Sequence, residues 1–325
     1  MGSGYKGKIP RKLHAFCISI VKWLPVIFTV ALIIWSYYAY VYHLCFQIVT
    51  DDVERVLYLI GYHILFAFLM WAYCRTIFTE TGRVPMKFKL PRAVLQKLEE
   101  SDTAESEREI LERFAEDLPI TNRTMTGSIR YCEKCEHLKP DRAHHCSSCG
   151  ECVLKMDHHC ALLNTCVSFT NYKFFLLLLV YSLLYYLFIV LTTMLPLIEC
   201  FHSGGRGMNC FHITSISLFF FAVIFALIFV CPFRFHYHLM LKNRTTLEAL
   251  RSPIFLSGDD KDGFNLGKYR NFQEVFGETK MTWFLPIFTS LGDGSSFAVR
   301  AQDQLGSRNS ANSAETSLDF GRIIP

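Results

Sequence analysis

The sequence predicts an α-helical integral membrane protein of four transmembrane helices, with a cytosolic, zinc-binding, cysteine-rich domain of short β-hairpins between helices two and three. Two observations carry this expectation. Hydrophobic residues make up 51% of the chain, 15% are aromatic and the mean hydropathy is +0.24. The apolar residues gather in four stretches, about 24–46, 56–78, 174–198 and 213–233, each close to the roughly 20 residues that a helix needs to cross the hydrocarbon core. Second, the segment from Tyr131 to Cys166 holds seven of the thirteen cysteines and five of the twelve histidines.

Residues 1–23 carry Lys6, Lys8, Arg11, Lys12 and Lys22 without an acidic residue, whereas the loop after the first stretch carries Asp51, Asp52 and Glu54. Positive charge favours the cytosolic side, so the N-terminus is expected there. The first stretch is too long and aromatic for a cleavable signal and lacks a small-residue cleavage site. With helices one and two over 24–78, the linker 79–127 and the cysteine-rich domain 128–172 return to the cytosol. In the linker, alternating charge and periodic Leu95, Leu98, Ile110, Leu111 and Phe114 predict one or two helices with a solvated face. Closely spaced cysteines predict hairpins and loops over the cysteine-rich part.

Helices three and four fall in 173–241, and the second lumenal loop holds Cys200 and Cys210, which an oxidising compartment would allow to pair. Arg234, Lys242, Arg244 and Arg251 place the C-terminus in the cytosol. The fourth helix is expected to continue to about residue 250 within a cytosolic C-terminal domain, 242–291, that includes a compact glycine-rich stretch over 257–276. From 292 to 325 the Ser, Asn, Gly and Gln content predicts a disordered tail. The sequons at Asn122 and Asn243 then face the cytosol and carry no glycan. A net charge of +4 marks no nucleic-acid binder; the basic N-terminus reads as a topology signal that meets anionic lipid.

Cytosolic thiols stay reduced, so the cluster is metal-bound or catalytic rather than a disulfide framework. Two tetrahedral sites of three thiolates and one imidazole use six cysteines and two histidines. One cysteine remains over. An odd cysteine beside histidine and aspartate fits a nucleophile, and Asp157, His158 and Cys160 supply carboxylate, base and thiol in that order. A thiol attacks only as thiolate, so the imidazole takes its proton and the carboxylate holds the imidazole in the right tautomer. Cys160 lies about a dozen residues before the third span, at the interface where a substrate with a buried chain and a soluble head, such as a long-chain acyl-CoA, would place its thioester. His137, His236 and the remaining histidines show no partner pattern.

The run from Arg130 to Asn171 resembles the cysteine-rich domain of the DHHC palmitoyltransferase family. It shows Cys132-x2-Cys135, Lys139-Pro140-Asp141-Arg142-Ala143-His144-His145-Cys146, Asp157-His158-His159-Cys160 and Cys166. Trp35 to Tyr40, Asn243-Arg244-Thr245-Thr246-Leu247-Glu248 and 271–277 extend the likeness to the subgroup of members two, fifteen and twenty, nearest the twentieth. The resemblance implies a protein S-acyltransferase that moves palmitate or a similar chain from acyl-CoA to substrate cysteines by ping-pong transfer through an acyl-cysteine. Its substrates would be membrane-associated proteins with cytosolic juxtamembrane cysteines. It implies two structural zinc ions, one on Cys132, Cys135, His145 and Cys152, the other on Cys146, Cys149, His159 and Cys166. Cys160 would be the nucleophile, His158 its base and Asp157 the group orienting that base. Trp35, Ser36, Phe175 and Tyr185 would line the acyl tunnel, Lys139, Arg142 and His144 would meet the CoA phosphates, and Thr245, Thr246 and Glu248 would brace the site. By the same resemblance the Golgi and plasma membrane are favoured over the endoplasmic reticulum.

After the nucleophile the chain departs from the family's Pro-Trp, Asn-Asn and Gly-Phe, with Ala161-Leu162, Asn164-Thr165 and Ser168-Phe169. These changes keep open an alternative, a catalytically impaired membrane scaffold that uses its zinc module to bind partners. A zinc transporter is disfavoured because its ionisable ligands would sit inside the spans.

Overall fold

The computed structural model describes residues 11–202 and 213–300. Among the described residues four helices are long and apolar enough to cross a membrane, over Ile20–Ile48, Asp52–Phe78, Tyr172–Ile198 and Ile213–Leu241. They belong to α1 (Arg11–Tyr38) with a wider π-helical continuation (Ala39–Ile48), α2 (Asp52–Phe78), α5 (Tyr172–His202) and α6 (Ile213–Leu241). The expected pairing of Cys200 with Cys210 lies outside the described residues. The chain divides into two compact units whose boundaries fall within α2, α5 and α6 and around the Asp157–Cys166 turn.

The first unit comprises residues 1–70, 159–165 and 181–229 and is a helical bundle. Aromatic rings fill it. Tyr40 stacks on Tyr62 at 4.1 Å between ring centres, and the Trp35 ring meets Phe221 edge-on at 5.0 Å. Hydroxyls inside so apolar a bundle must find partners. Ser36 and Tyr185 are joined at 2.8 Å, Tyr185 and Tyr62 at 2.7 Å, and Tyr40 donates to Thr192 at 3.0 Å. At the end of the π-helical stretch, Arg55 donates to the carbonyls of Cys45 and Val49. The widened turn leaves carbonyls in need of donors, and the guanidinium supplies them.

The second unit comprises residues 71–158, 166–180 and 230–325. Two amphipathic helices, α3 (Arg92–Glu99) and α4 (Ala104–Ala115), occupy the charged linker. Their apolar sides pack on Phe88, Leu90, Ile120, Ile129 and Leu138. Thr103 caps α4 by accepting from the Ser106 N–H. The cysteine-rich segment forms hairpins: β1 (Tyr131–Cys132) with β2 (His137–Leu138), β3 (His144–Cys146) with β4 (Glu151–Val153), and β5 (His158–Cys160) with β6 (Thr165–Val167). The first two are antiparallel, with Cys132 opposite His137 and His145 opposite Cys152.

Two sequence expectations fail in this unit. The fourth helix does not continue beyond its span to about residue 250; it ends at Leu241, and Asn243 adopts a left-handed φ of 48°. Asn tolerates that conformation, and its side chain makes the break structural by donating to Phe264 O and Glu274 while accepting from Arg142. The chain restarts as the short helix α7 (Thr246–Leu250). Nor does a disordered tail begin at 292. The Asp293 carboxylate accepts from the Ser295 and Ser296 N–H groups, and Val299 packs with Phe255, Phe264 and Phe297.

Helix α8 (Lys268–Phe276) ends on Gly277 at φ 78°. A Cβ there would stand 2.6 Å from the Thr289 carbonyl oxygen, and Thr289 is itself fixed by Lys173 Nζ, 2.7 Å from its hydroxyl. Both conformation and contact therefore select glycine. Gly277→Ala is expected to destabilise the protein by about 2 kcal/mol, read as a lowered unfolding midpoint in detergent.

Candidate active site

The short helix α7 organises the site. Thr245 is its N-cap: the Thr245 hydroxyl accepts from the Glu248 N–H at 3.1 Å and the Glu248 carboxylate accepts from the Thr245 N–H at 2.9 Å. This reciprocal capping box is encoded by the Thr-x-x-Glu spacing. Glu248 has a second task. Its two oxygens receive Nε and one terminal nitrogen of Arg142, each at 2.7 Å, in the bidentate geometry that suits a guanidinium to a carboxylate. Arg142 also donates to the side chain and carbonyl of Asn243, 2.9 Å each, and lies over the rings of Phe264 and Phe297.

With the capping box closed, the next N–H of α7 is free to bind elsewhere. Thr246 donates its backbone N–H to Asp157 Oδ1 at 2.9 Å and its hydroxyl to Oδ2 at 2.7 Å. His158 Nδ1 stands 2.6 Å from the same Oδ2. Burial pushes the Asp157 carboxyl up, yet the His158 hydrogen bond, the imidazoles of His236 and His158, and the Thr246 hydroxyl outweigh it and hold the group below the usual carboxylate range. An ionised Asp157 accepts from His158 Nδ1–H, which makes Nε2 the basic nitrogen. The His158 side chain is 28% exposed against 2% for Asp157, so the carboxylate is enclosed while the imidazole reaches the surface.

Two groups of soft ligands lie in the same segment. Cys132, Cys135, His145 and Cys152 form one, Cys146, Cys149, His159 and Cys166 the other, each with its ligand atoms within 4.8 Å of one another. His145 Nδ1 is 3.6, 3.3 and 3.9 Å from the sulfurs of Cys132, Cys135 and Cys152, and Cys149 and Cys166 sulfurs are 3.5 Å apart. Zinc bonds of about 2.0–2.3 Å put tetrahedral vertices about 3.5–3.8 Å apart. Both sets therefore fit zinc, and each is closed by four protein ligands. Cys160 belongs to neither.

Of the residues expected at the CoA head group, Lys139 and His144 line a cavity of about 440 Å³ with Arg123, Arg130 and Arg251. Spacing gave no sign of these last three: Arg123 and Arg130 flank one short turn closed by the Arg123–Ile129 bridge, and Arg251 follows α7. Burial, then the nearby Arg130 charge, pushes the His144 imidazole down to about 3, so it is neutral at neutral pH. Arg142 lines the same cavity, while Glu248 and Asn243 accept from all three of its guanidinium nitrogens. Among the expected tunnel residues, Ser36 and Tyr185 are brought together and Trp35 packs on Phe221. Phe175 lies edge-on to His158 at 5.4 Å. The sequence dismissed His236, yet α6 brings its Nδ1 within 3.8 Å of Asp157 Oδ2. Only a fold can join positions 79 residues apart.

The DHHC palmitoyltransferase profile matches residues 125–253. Zebrafish (Danio rerio) palmitoyltransferase ZDHHC2 is 49% identical over 282 residues, covering 86% of this chain and 78% of the relative. The chain belongs to the DHHC palmitoyltransferase family. Xenopus laevis palmitoyltransferase ZDHHC15 is 42% identical over 322 residues, 98% of this chain and 93% of that one. Zebrafish palmitoyltransferase ZDHHC20-A is 44% identical over 285 residues, 87% and 79%. The subgroup expected from the sequence holds, but the likeness leans to the second and fifteenth members rather than to the twentieth.

The Arg142–Glu248 pair generates a stability prediction. Burial raises the Glu248 carboxyl, but the Arg142 charge and hydrogen bonds and the Thr245 N–H override it, leaving the group below its ordinary range. Its contribution is fully present above the unfolded value of about 4.3 and is lost as pH falls through the depressed folded value. Glu248→Gln leaves a buried guanidinium uncompensated and is expected to cost about 3–5 kcal/mol, measured as a lower unfolding midpoint at neutral pH.

Proposed function

We propose that this chain is a protein-cysteine S-acyltransferase that works by ping-pong transfer through Cys160. Family membership supports S-palmitoyltransferase activity, and one observation carries the mechanism: an ionised Asp157, fixed by Thr246, orients His158 two residues before Cys160, the one cysteine of the 131–166 segment outside both ligand sets. Zinc, when bound, supplies a structural cross-link and no reacting group, because each site is closed. The chemistry belongs to the side chains. His158 takes the Cys160 thiol proton at Nε2 while Asp157 stabilises the imidazolium. The thiolate adds to the thioester carbonyl of a long-chain acyl-CoA; the carbon–sulfur bond to CoA breaks, and the CoA thiolate takes the proton held by His158. A thiol of a membrane-associated protein then repeats the exchange, its proton passing to His158 and on to the released Cys160 sulfur.

The cavity bordered by Lys139, Arg123, Arg130 and Arg251 suits the CoA phosphates, where charge-assisted contacts are strongest. Trp35, Ser36 and Tyr185 form the proposed wall and closed end of the acyl path, with Phe175 beside the base. Orientation with both termini in the cytosol follows from the charges flanking the spans, and the Golgi and plasma membrane are the proposed locations.

The scaffold reading is separated by one experiment. Purified protein incubated with labelled palmitoyl-CoA is expected to form an adduct that hydroxylamine releases and that Cys160→Ser abolishes, with two zinc ions per chain retained in both. No adduct on wild-type protein with intact zinc would establish the scaffold instead.

A further inference from the structure

One buried polar atom beside the proposed base has no hydrogen-bond partner. His236 lies in α6 with 6% of its surface exposed, and its Nδ1 is enclosed yet unsatisfied. That atom stands 3.8 Å from Asp157 Oδ2, the oxygen that also binds His158 Nδ1 and the Thr246 hydroxyl. The imidazoles of His236 and His158 lie 5.6 Å apart and tilted by 34°. Phe175 meets His236 edge-on at 4.9 Å and His158 at 5.4 Å, so the three rings pack as a triangle.

A buried imidazole nitrogen without a partner is costly, and packing alone would be served as well by phenylalanine. From this geometry we infer that His236 is a positioning residue for acyl transfer. Its Nδ1–H is a reserve donor to Asp157. When His158 gains the thiol proton, the imidazolium draws Asp157 Oδ2 more strongly; His236 closes from 3.8 Å to hydrogen-bond distance and keeps the carboxylate aligned with both His158 and Thr246. Its ring meanwhile blocks rotation of His158 away from that plane. No bond is made or broken at His236. The inference rests on the acyl-transfer reading given above.

The variants separate donor from ring. Phe at 236 keeps a ring and removes the donor; Asn removes the ring but sets an amide N–H close to where imidazole Nδ1–H was. His236→Phe is expected to lower kcat for formation of the Cys160 acyl-enzyme by about tenfold, as for one hydrogen bond to a charged group, with KM for palmitoyl-CoA within about twofold of wild type because ground-state binding is untouched. His236→Asn is expected to recover to within about threefold of wild type. Zinc content, two per chain, and the unfolding midpoint report folding. Equal losses in both variants, or wild-type kcat in His236→Phe, would overturn the inference. Should His236→Phe fail to retain zinc, His236→Asn alone decides: more than about tenfold loss in a zinc-replete protein contradicts the donor role. Absence of any acyl-enzyme on wild-type protein is a different result, which removes the acyl-transfer reading and this inference with it.

Discussion

The buried Arg142–Glu248 pair is the constraint on which the second unit depends. Arg142 comes from the cysteine-rich segment and Glu248 from the start of α7, 106 residues apart, and neither charge can be left alone in an interior that excludes water. Glu248 also closes the capping box of α7. The ion pair and the helix start are therefore one structure, and the donors of Thr246 point at Asp157 because that structure fixes them. Arg142 holds this post at a left-handed φ of 63°, a conformation that costs an arginine energy and persists only where surroundings over-determine it. Its contacts with Glu248, Asn243, Phe264 and Phe297 provide that surrounding.

The same arrangement separates structural from chemical duties within a short stretch. Metal-type ligands and the proposed reacting groups alternate in sequence: His158 turns to Asp157, while the neighbouring His159 joins Cys146, Cys149 and Cys166. The period-two alternation of strand β5 sends adjacent side chains to opposite faces, so one short strand can serve both. A cross-linked hairpin lets a strand of three residues hold a base without a large hydrophobic core behind it.

Much of this was legible in the sequence because the relevant signals are local. Four apolar stretches of helical length, cysteine pairs with two residues between them, and the run Asp157 to Cys160 each announce themselves within a few residues. What was hidden depends on distant partners. The break at Asn243 interrupts an otherwise helical pattern, and its cause lies in Arg142, Phe264 and Glu274. Residues 293–300 look like a polar tail, yet an Asp293 turn and the burial of Val299 fold them back. Arg142 reads as a phosphate ligand by position, and its buried partners Glu248 and Asn243 lie more than a hundred residues away. His236 carries no sequence pattern at all, since its meaning comes only from the carboxylate opposite it.

The central claim is that α7 prepares Asp157 to orient His158. Thr246→Val tests it most directly, because it keeps the branched shape and the backbone N–H while deleting the hydroxyl that donates to Asp157 Oδ2. The rate of acyl-enzyme formation from palmitoyl-CoA is predicted to fall about tenfold, with two zinc ions bound. A wild-type rate in that variant would contradict the account.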